Sequence, residues 1–168
     1  MKLDSVQAIV SALYSAHVRF LIAGGLAVNA HGVMRFTKDV DVVLQLAPDN
    51  IEKAFGALAE LGYKPAIPVS EAQFADESVR SRWVRERNMA VLQLWSDAHR
   101  ETPIDVFASE PFDFDVEYAR ALVKPLGDVP VRFVSLHTLI RMKEAVGRAQ
   151  DLADAENLQL RIEHDASE

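Results

Sequence analysis

Two aspartates that lie one residue apart are the first candidates for chemistry in this sequence. Asp39 and Asp41 open a stretch in which every second residue is apolar: Val40, Val42, Leu44 and Leu46. This period of two predicts a β-strand, on which residues i and i+2 face the same side. Neighbouring carboxylates repel each other unless a cation such as Mg²⁺ lies between them. The pair therefore predicts a magnesium site on a strand whose other face is buried; two surface acids on a strand edge are the alternative.

A third aspartate interrupts another apolar segment. Asp105 lies between Ile104 and Val106 in a stretch that also predicts a strand. An unpaired carboxylate is costly to bury, so we expect a metal or a basic partner beside it. If the two strands are neighbours, the three carboxylates converge and can hold two Mg²⁺ ions around a transferring phosphoryl group.

A pair of glycines precedes these acids. The apolar segment 19–23 predicts a buried strand that ends at Gly24 and Gly25, and residues 26–30 have helical composition. Two glycines at this point let a helix begin with free backbone N–H groups and no side chains in front of them, which suits a phosphate. A tight turn without a ligand is the alternative for the glycines taken alone.

The rest of the pattern describes the elements that must position these residues. Helices are predicted over residues 4–17, from Pro48 to Leu61 and from Ser135 to about residue 160; strands over 89–95 and 102–108; a hairpin within 121–133; and mostly loop over 63–79. Mixed strands and helices predict an α/β (α+β mixed) fold, with a mixed β-sheet flanked by helices and with C-terminal helices. We expect a single domain over residues 1–168, with a core at about 4–134 and a helical part at about 135–160.

Composition excludes several classes of protein. Of the 168 residues, 49% are hydrophobic and none is cysteine, which excludes a disordered chain, a disulfide scaffold and a thiolate metal site. No segment approaches the roughly 18 apolar residues of a membrane span, and the N-terminus lacks an apolar signal region, so we expect a cytoplasmic protein with no membrane partner. The net charge of −7 argues against binding nucleic acid by bulk electrostatics. A local basic segment, Arg80 to Arg87, is either an acceptor-binding surface or a solvated edge.

The run from Ala23-Gly24-Gly25 to Thr37-Lys38-Asp39-Val40-Asp41 resembles the nucleotidyltransferase superfamily of the DNA polymerase β type, and in particular its AbiEii-like and minimal nucleotidyltransferase branches. Small-molecule nucleotidyltransferases share much of this stretch. The segment from Leu139 to Asp154 also resembles AbiEii-like proteins. The resemblance is strong over residues 19–46, moderate over 100–108 and 135–158, and weak over 60–95.

This resemblance implies an Mg²⁺-dependent enzyme, with two ions, that moves an NMP group from an NTP such as ATP to a hydroxyl acceptor. The acceptor would be an RNA or tRNA end, a partner protein or a small hydroxylated molecule, and a toxin–antitoxin system with a partner toxin or antitoxin is one setting. The resemblance assigns Asp39 and Asp41 to the metal, Asp105 to the metal or to general base catalysis, and Gly24 and Gly25 to the triphosphate. Many members carry Ser where this chain has Gly25, so that hydroxyl contact is absent.

Three basic residues are candidate nucleotide contacts. Lys143 falls on the apolar stripe of its helix, so its ammonium either extends past apolar neighbours to solvent or reaches inward to carboxylates and phosphates. Arg35 and Lys38 precede the acids and either clamp pyrophosphate or are solvated loop charges. Arg148 is expected to pair with Asp151 within a helix, and the role of Asp154 stays open.

His31 is expected to make a structural hydrogen bond. Two other hypotheses for the function of the chain remain. One is a non-catalytic nucleotide-binding or antitoxin-like interaction module with the same fold, and the other is an α/β protein whose acids are structural.

Overall fold

The structure is a computed structural model that describes residues 1–165. The helices in this part of the chain are α1 (Leu3–Ser15), α2 (Gly24–Ala30), α3 (Pro48–Glu60), α4 (Glu71–Ala75), α5 (Glu77–Arg87), α6 (Phe114–Arg120), α7 (Leu136–Val146) and α8 (Ala149–Asp165). The strands are β1 (Phe20–Ile22), β2 (Val40–Leu44), β3 (Lys64–Pro65), β4 (Val91–Trp95), β5 (Ile104–Phe107), β6 (Leu122–Leu126) and β7 (Val129–Phe133).

All these strands form one mixed sheet in the order β3-β4-β5-β2-β1-β7-β6. β2 runs parallel to β5 and β1 runs parallel to β7, whereas the other neighbours are antiparallel. The predicted mixed sheet flanked by helices is therefore confirmed. No helix of the described residues is both long enough and apolar enough to cross a membrane.

The apolar alternation of the central strands produces the core. Val42 pairs with Val106, which in turn pairs with Leu92, and all three side chains are at most 1% exposed. Because alternate residues of a strand face opposite sides, the residues between them lie on the other face of the sheet. The same alternation that buries the valines thus presents Asp41 and Asp105 together.

The prediction that residues 63–79 are mostly loop is wrong. β3, α4 and the start of α5 fall in this segment. Ser70 and Gln73 form a reciprocal capping box on α4, and the Asp76 carboxylate accepts hydrogen bonds from the first turn of α5. These side chains satisfy backbone N–H groups that otherwise lack partners at a helix start, so short helices form despite weak apolar periodicity. The segment before the hairpin, for which the sequence predicted no element, likewise contains a helix, α6.

The C-terminal helices form a pair separated at Gly147. This residue has φ of +69°, a left-handed conformation that ends α7 and lets α8 turn back against it. Ser135 lies at the N-cap of α7 as predicted, but its side chain makes no capping hydrogen bond. Instead, its backbone N–H donates to Glu117 Oε1 at 2.6 Å, which ties α7 to α6.

Candidate active site

The acidic residues lie on one face of the central strands. Asp41 on β2 pairs in register with Asp105 on the parallel neighbour β5, so their side chains leave the sheet on the same side. Asp39 lies in the bend immediately before β2, and its negative charge contributes to the raised pKa of both Asp41 and Asp105. The strands of Asp41 and Asp105 are neighbours, which is the condition on which the predicted convergence of the carboxylates depends. The opposite face at this point consists of buried valine and isoleucine side chains.

Asp41 lies in an unfavourable electrostatic environment. Burial raises the pKa of its carboxyl to about 7, and repulsion from Asp105 and Asp39 contributes to the rise. The ammonium of Lys143 opposes this shift in pKa without cancelling it. A carboxylate in this position is ionised only at a cost, and a bound cation would remove that cost.

Asp105 is less buried and has a neutral partner. Burial raises the pKa of its carboxyl, the negative charge of Asp39 adds to the rise, and a hydrogen bond from Gln93 opposes it. The Gln93 amide on β4 donates from Nε2 to Asp105 Oδ1 at 3.2 Å. Gln93 is a register partner of Asp105, so Gln93, Asp105 and Asp41 form a row across three adjacent strands.

Gly24 and Gly25 lack side chains at positions where a side chain would collide with the acidic segment. Gly24 has φ of +58°, and a Cβ there would overlap the carboxylate of Asp41. A Cβ on Gly25 would lie 2.6 Å from Thr37 Cβ, which is too close for any side chain without movement. The Ala23 N–H also donates to the carbonyl oxygen of Asp41 at 2.9 Å. The glycine pair therefore lets the end of β1 and the start of α2 close against the acidic segment.

The acids do not by themselves form a ready-made metal cage. Within residues 1–165, no three His, Cys, Asp or Glu side chains are grouped so that they could hold a metal ion as they stand. The oxygen-only donor set and its mutual repulsion nevertheless fit a hard divalent cation, because such a cation supplies the missing countercharge. A cation here would require the side chains of these acids to move from their present positions.

Lys143 reaches inward to carboxylates, which is one of the two predicted orientations. Its ammonium is buried and contacts Asp151 Oδ1 at 3.0 Å and Asp154 Oδ2 at 2.9 Å. Burial would raise the pKa of Asp154, but hydrogen bonds from Lys143, Gln150 and Arg35 lower it overall. The prediction that Arg148 pairs with Asp151 within a helix is wrong. Asp151 pairs with Lys143, and Arg148 precedes α8.

Arg35 belongs to the same network. Its Nε donates to Asp154 Oδ2 at 2.9 Å, which links the loop before β2 to α8. Asn29, which no sequence pattern indicated, holds the backbone of Arg35 through two hydrogen bonds of 2.6 and 2.9 Å. Lys38 is exposed on this loop. The loop that leads into Asp39 and Asp41 is therefore held at its middle by side chains of α2 and α8.

Two other residues that the sequence pointed to have structural roles. Arg80 is only 5% exposed, lies against the Phe74 ring and donates to the Phe74 carbonyl oxygen at 2.5 Å, so it is not part of an open basic surface. The neighbouring Arg82, Arg85 and Arg87 remain exposed on α5. His31 donates from Nε2 to the Val134 carbonyl oxygen at 2.8 Å, which confirms the structural hydrogen bond. Burial lowers the pKa of its imidazole.

The sequence matches no protein-family model and no curated protein. Solved structures do match. The lincosamide antibiotic adenylyltransferase LnuA, bound to lincomycin, aligns with a TM-score of 0.61 and 13% identity over 93% of this chain and 95% of that one. ANT(2")-Ia in complex with adenylyl-2"-tobramycin aligns with a TM-score of 0.57 and 14% identity over 93% and 86%.

A nucleotidyltransferase-like protein from Paracoccidioides brasiliensis aligns with a TM-score of 0.56 and 15% identity, over 95% of this chain and 75% of that one. The chain has the nucleotidyltransferase fold. These solved structures confirm the fold that the resemblance implied. They do not distinguish the AbiEii-like branch from other nucleotidyltransferases. In this nucleotidyltransferase fold, the acids occupy the parallel pair β2 and β5 at the centre of the sheet.

Proposed function

We propose that this protein is a nucleotidyltransferase that moves an NMP group from an NTP to a hydroxyl acceptor and depends on Mg²⁺. One observation carries the proposal: Asp41 and Asp105 face each other in register on adjacent strands, and their repulsion contributes to the raised pKa of Asp41. A structural acid is stabilised by partners that offset its charge. Among the neighbours of Asp41, Lys143 offsets its charge only in part, and the fold that these acids occupy is that of nucleotidyltransferases.

Asp39, Asp41 and Asp105 would hold the metal, with two ions in the proposed site. When bound, Mg²⁺ neutralises charge on the phosphates and lowers the pKa of a coordinated hydroxyl. The buried valine face of β2 holds the strand that carries Asp41 in place, so the backbone of the site is formed before a metal is bound.

In the proposed reaction, the acceptor hydroxyl oxygen forms a bond to the α-phosphorus and the bond from that phosphorus to the pyrophosphate oxygen breaks. Asp105 receives the hydroxyl proton or orients the hydroxyl, and pyrophosphate leaves with the electron pair of the broken bond. The raised pKa of Asp105 suits a proton acceptor, because a base works best when its pKa approaches the working pH.

The nucleotide would lie against Gly24 and Gly25, with Arg35, Lys38 and Lys143 as phosphate contacts. Lys38 is exposed and available for this role. Arg35 and Lys143 already contact Asp154, so a triphosphate would have to share their N–H groups with that carboxylate. The Lys143 ammonium lies close enough to Asp41 to lower its pKa, so this cation is beside the site before any ligand arrives.

A small hydroxylated molecule is the acceptor we favour. Arg80 is buried, which reduces the one basic segment that the sequence offers for binding an RNA, and the net charge is −7. Two structures with this fold contain a small molecule, adenylyl-2"-tobramycin or lincomycin. The single-domain organisation, the AbiEii-like assignment and the toxin–antitoxin setting stay predictions, as do an RNA or protein acceptor.

The test is calorimetric titration of the full chain with each of the four NTPs, with and without Mg²⁺. We expect wild type to bind at least one NTP only when Mg²⁺ is present. In the Asp39→Asn/Asp41→Asn double variant, affinity should fall by at least about 100-fold, since even partners outside the ligand sphere are typically worth about 10–100-fold.

Asp128→Asn, on the exposed turn between β6 and β7, is the matched control for loss of negative charge and should bind as wild type does. Wild type that binds no NTP, or a double variant with unchanged affinity, would rule out the proposed function. A non-catalytic nucleotide-binding module would bind Mg²⁺–NTP but label nothing when incubated with radioactive NTP and cell extract.

A further inference from the structure

Gln93 contacts the proposed catalytic residue Asp105 but takes no part in the reaction proposed above. It is an exposed residue in the middle of β4, and its amide is hydrogen bonded to Asp105 across the strand pair. Its backbone is fixed on both sides: β4 pairs with β5, and the Gln93 carbonyl oxygen accepts from the Ala66 N–H at 2.9 Å. The amide therefore extends from a well-anchored point toward the acid.

We infer that Gln93 is a positioning residue, which holds the Asp105 carboxylate in the orientation that metal binding and hydroxyl activation require. The inference rests on the proposed function, because it assigns a role within that same site. One oxygen of Asp105, Oδ1, is bound by the amide, so the rotation of the carboxyl group is restricted. The other oxygen is left for the metal or the acceptor hydroxyl.

A neutral donor suits this position better than a cation. Asp154 has two cationic partners, Lys143 and Arg35, in addition to the Gln150 amide, and its negative charge is largely satisfied. Gln93 orients Asp105 without neutralising it, so the negative charge that attracts a divalent ion is preserved. Donors of this kind, which hold a metal ligand rather than the metal, typically contribute about 10–100-fold to metal affinity or activity.

A purely structural role explains this hydrogen bond poorly. The Gln93 side chain is exposed and its amide can exchange its partner for water, so the bond adds little to folding stability. The alternation of β4 already places Leu92 and Leu94 in the core, and neither needs Gln93 to stay there. A variant that lacks the donor should therefore fold normally.

The test compares Gln93→Met with Gln159→Met in the full chain. Met matches the length of Gln without its donor, and Gln159 makes an equivalent exposed bond, at 3.3 Å, that joins α8 to Glu144 Oε1 on α7. The probe is Mn²⁺ alone, followed by the electron paramagnetic resonance signal of the free ion. We expect Gln93→Met to bind Mn²⁺ about tenfold more weakly than wild type, at an unchanged melting temperature, and Gln159→Met to match wild type.

Equal Mn²⁺ affinity in wild type and Gln93→Met would overturn the role of Gln93 while leaving the proposed function intact. Wild type that binds no Mn²⁺ would instead count against the proposed function itself. A second measurement needs no variant: in the wild-type NMR spectrum, the side-chain amide signals of Gln93 should move when Mg²⁺ is added, and those of Gln159 should not. Unmoved Gln93 signals at saturating Mg²⁺ would also overturn the inference.

Discussion

Asp41 and Glu117 are two poorly exposed acids in opposite electrostatic situations. Glu117 is fully buried, yet it accepts hydrogen bonds from Arg120 Nε, from the Thr138 hydroxyl and from the Ser135 N–H at 2.6 to 2.9 Å. Burial would raise its pKa, but these bonds outweigh burial and lower it. At Asp41 the neighbours include Asp39 and Asp105, and burial with their repulsion raises the pKa to about 7.

We interpret this difference as that between a structural acid, Glu117, and a proposed metal ligand, Asp41. Both residues lie at contacts between elements, so burial alone does not distinguish them. Glu117 joins α6 to α7 through partners that the chain itself provides, whereas at Asp41 burial and neighbouring acids outweigh the one cation, Lys143, that favours ionisation. Perturbed carboxylates of the second kind are concentrated at sites that bind something from outside.

The first way to test this comparison is to remove a cation that satisfies buried acids beside the site. Lys143→Met leaves the carboxylates of Asp151 and Asp154 without their ammonium, and breaking a buried pair in this way costs about 3 kcal/mol. Urea unfolding at pH 7 measures the loss. Lys53→Met is the control, because its pair with Asp49 is exposed and worth at most about 0.5 kcal/mol. Equal losses in both variants would contradict a buried structural role for Lys143.

The second test concerns the partnered acid. Glu117→Gln removes one charge from a complete hydrogen-bond network and should lower the free energy of unfolding by about 2 kcal/mol at pH 7. Because the pKa of Glu117 is lowered in the folded state, its stabilisation is complete above about 4.5 and is lost as the pH falls below that value. The cost of the substitution should shrink accordingly in acid. Loss of Mg²⁺–NTP binding in this variant without unfolding would show that Glu117 is not merely structural.

The third test concerns Asp41, whose substitution should stabilise the protein, whereas the first two substitutions should destabilise it. Asp41 holds a proton in the folded state up to about pH 7, whereas the unfolded chain releases it near 3.8, so wild type loses stability as the pH rises through this window. Asp41→Asn should therefore be more stable than wild type without divalent ions. One pKa unit corresponds to about 1.4 kcal/mol, and water entry offsets part of the shift, so we expect a gain on the order of 2 kcal/mol at pH 8.

Thermal unfolding at pH 4, 5.5 and 8 measures this gain, which should grow between pH 4 and 7 and then level off. Asp128→Asn, on its exposed turn, provides the control for removal of one negative charge and should show no comparable growth. Destabilisation of Asp41→Asn at pH 8 would mean that the carboxylate is satisfied by groups within the protein, and the contrast with Glu117 would fail.

Local sequence patterns predicted much of the fold. The alternation through Val40 and Val42 and the hairpin around Gly127 were visible because strand faces and tight turns depend on residues close in the chain. The short helices α4 and α5 were missed, because their starts depend on capping side chains and their sequences have little apolar periodicity. The acids and the glycine pair could be singled out as candidates because each has a local signature.

The sequence by itself determined that Asp41 lies on the face of β2 opposite to Val40 and Val42, since the period of a strand requires it. Only the tertiary structure decided that Asp105 lies in register with Asp41, that Gln93 binds Asp105, and that Lys143 and Arg35 meet at Asp154. Gln93 and Asp105 are 12 residues apart in the chain, and Arg35 and Asp154 are 119 residues apart. Strand register and helix docking arise from burial of the whole core, and no local pattern encodes which distant side chains that burial brings together.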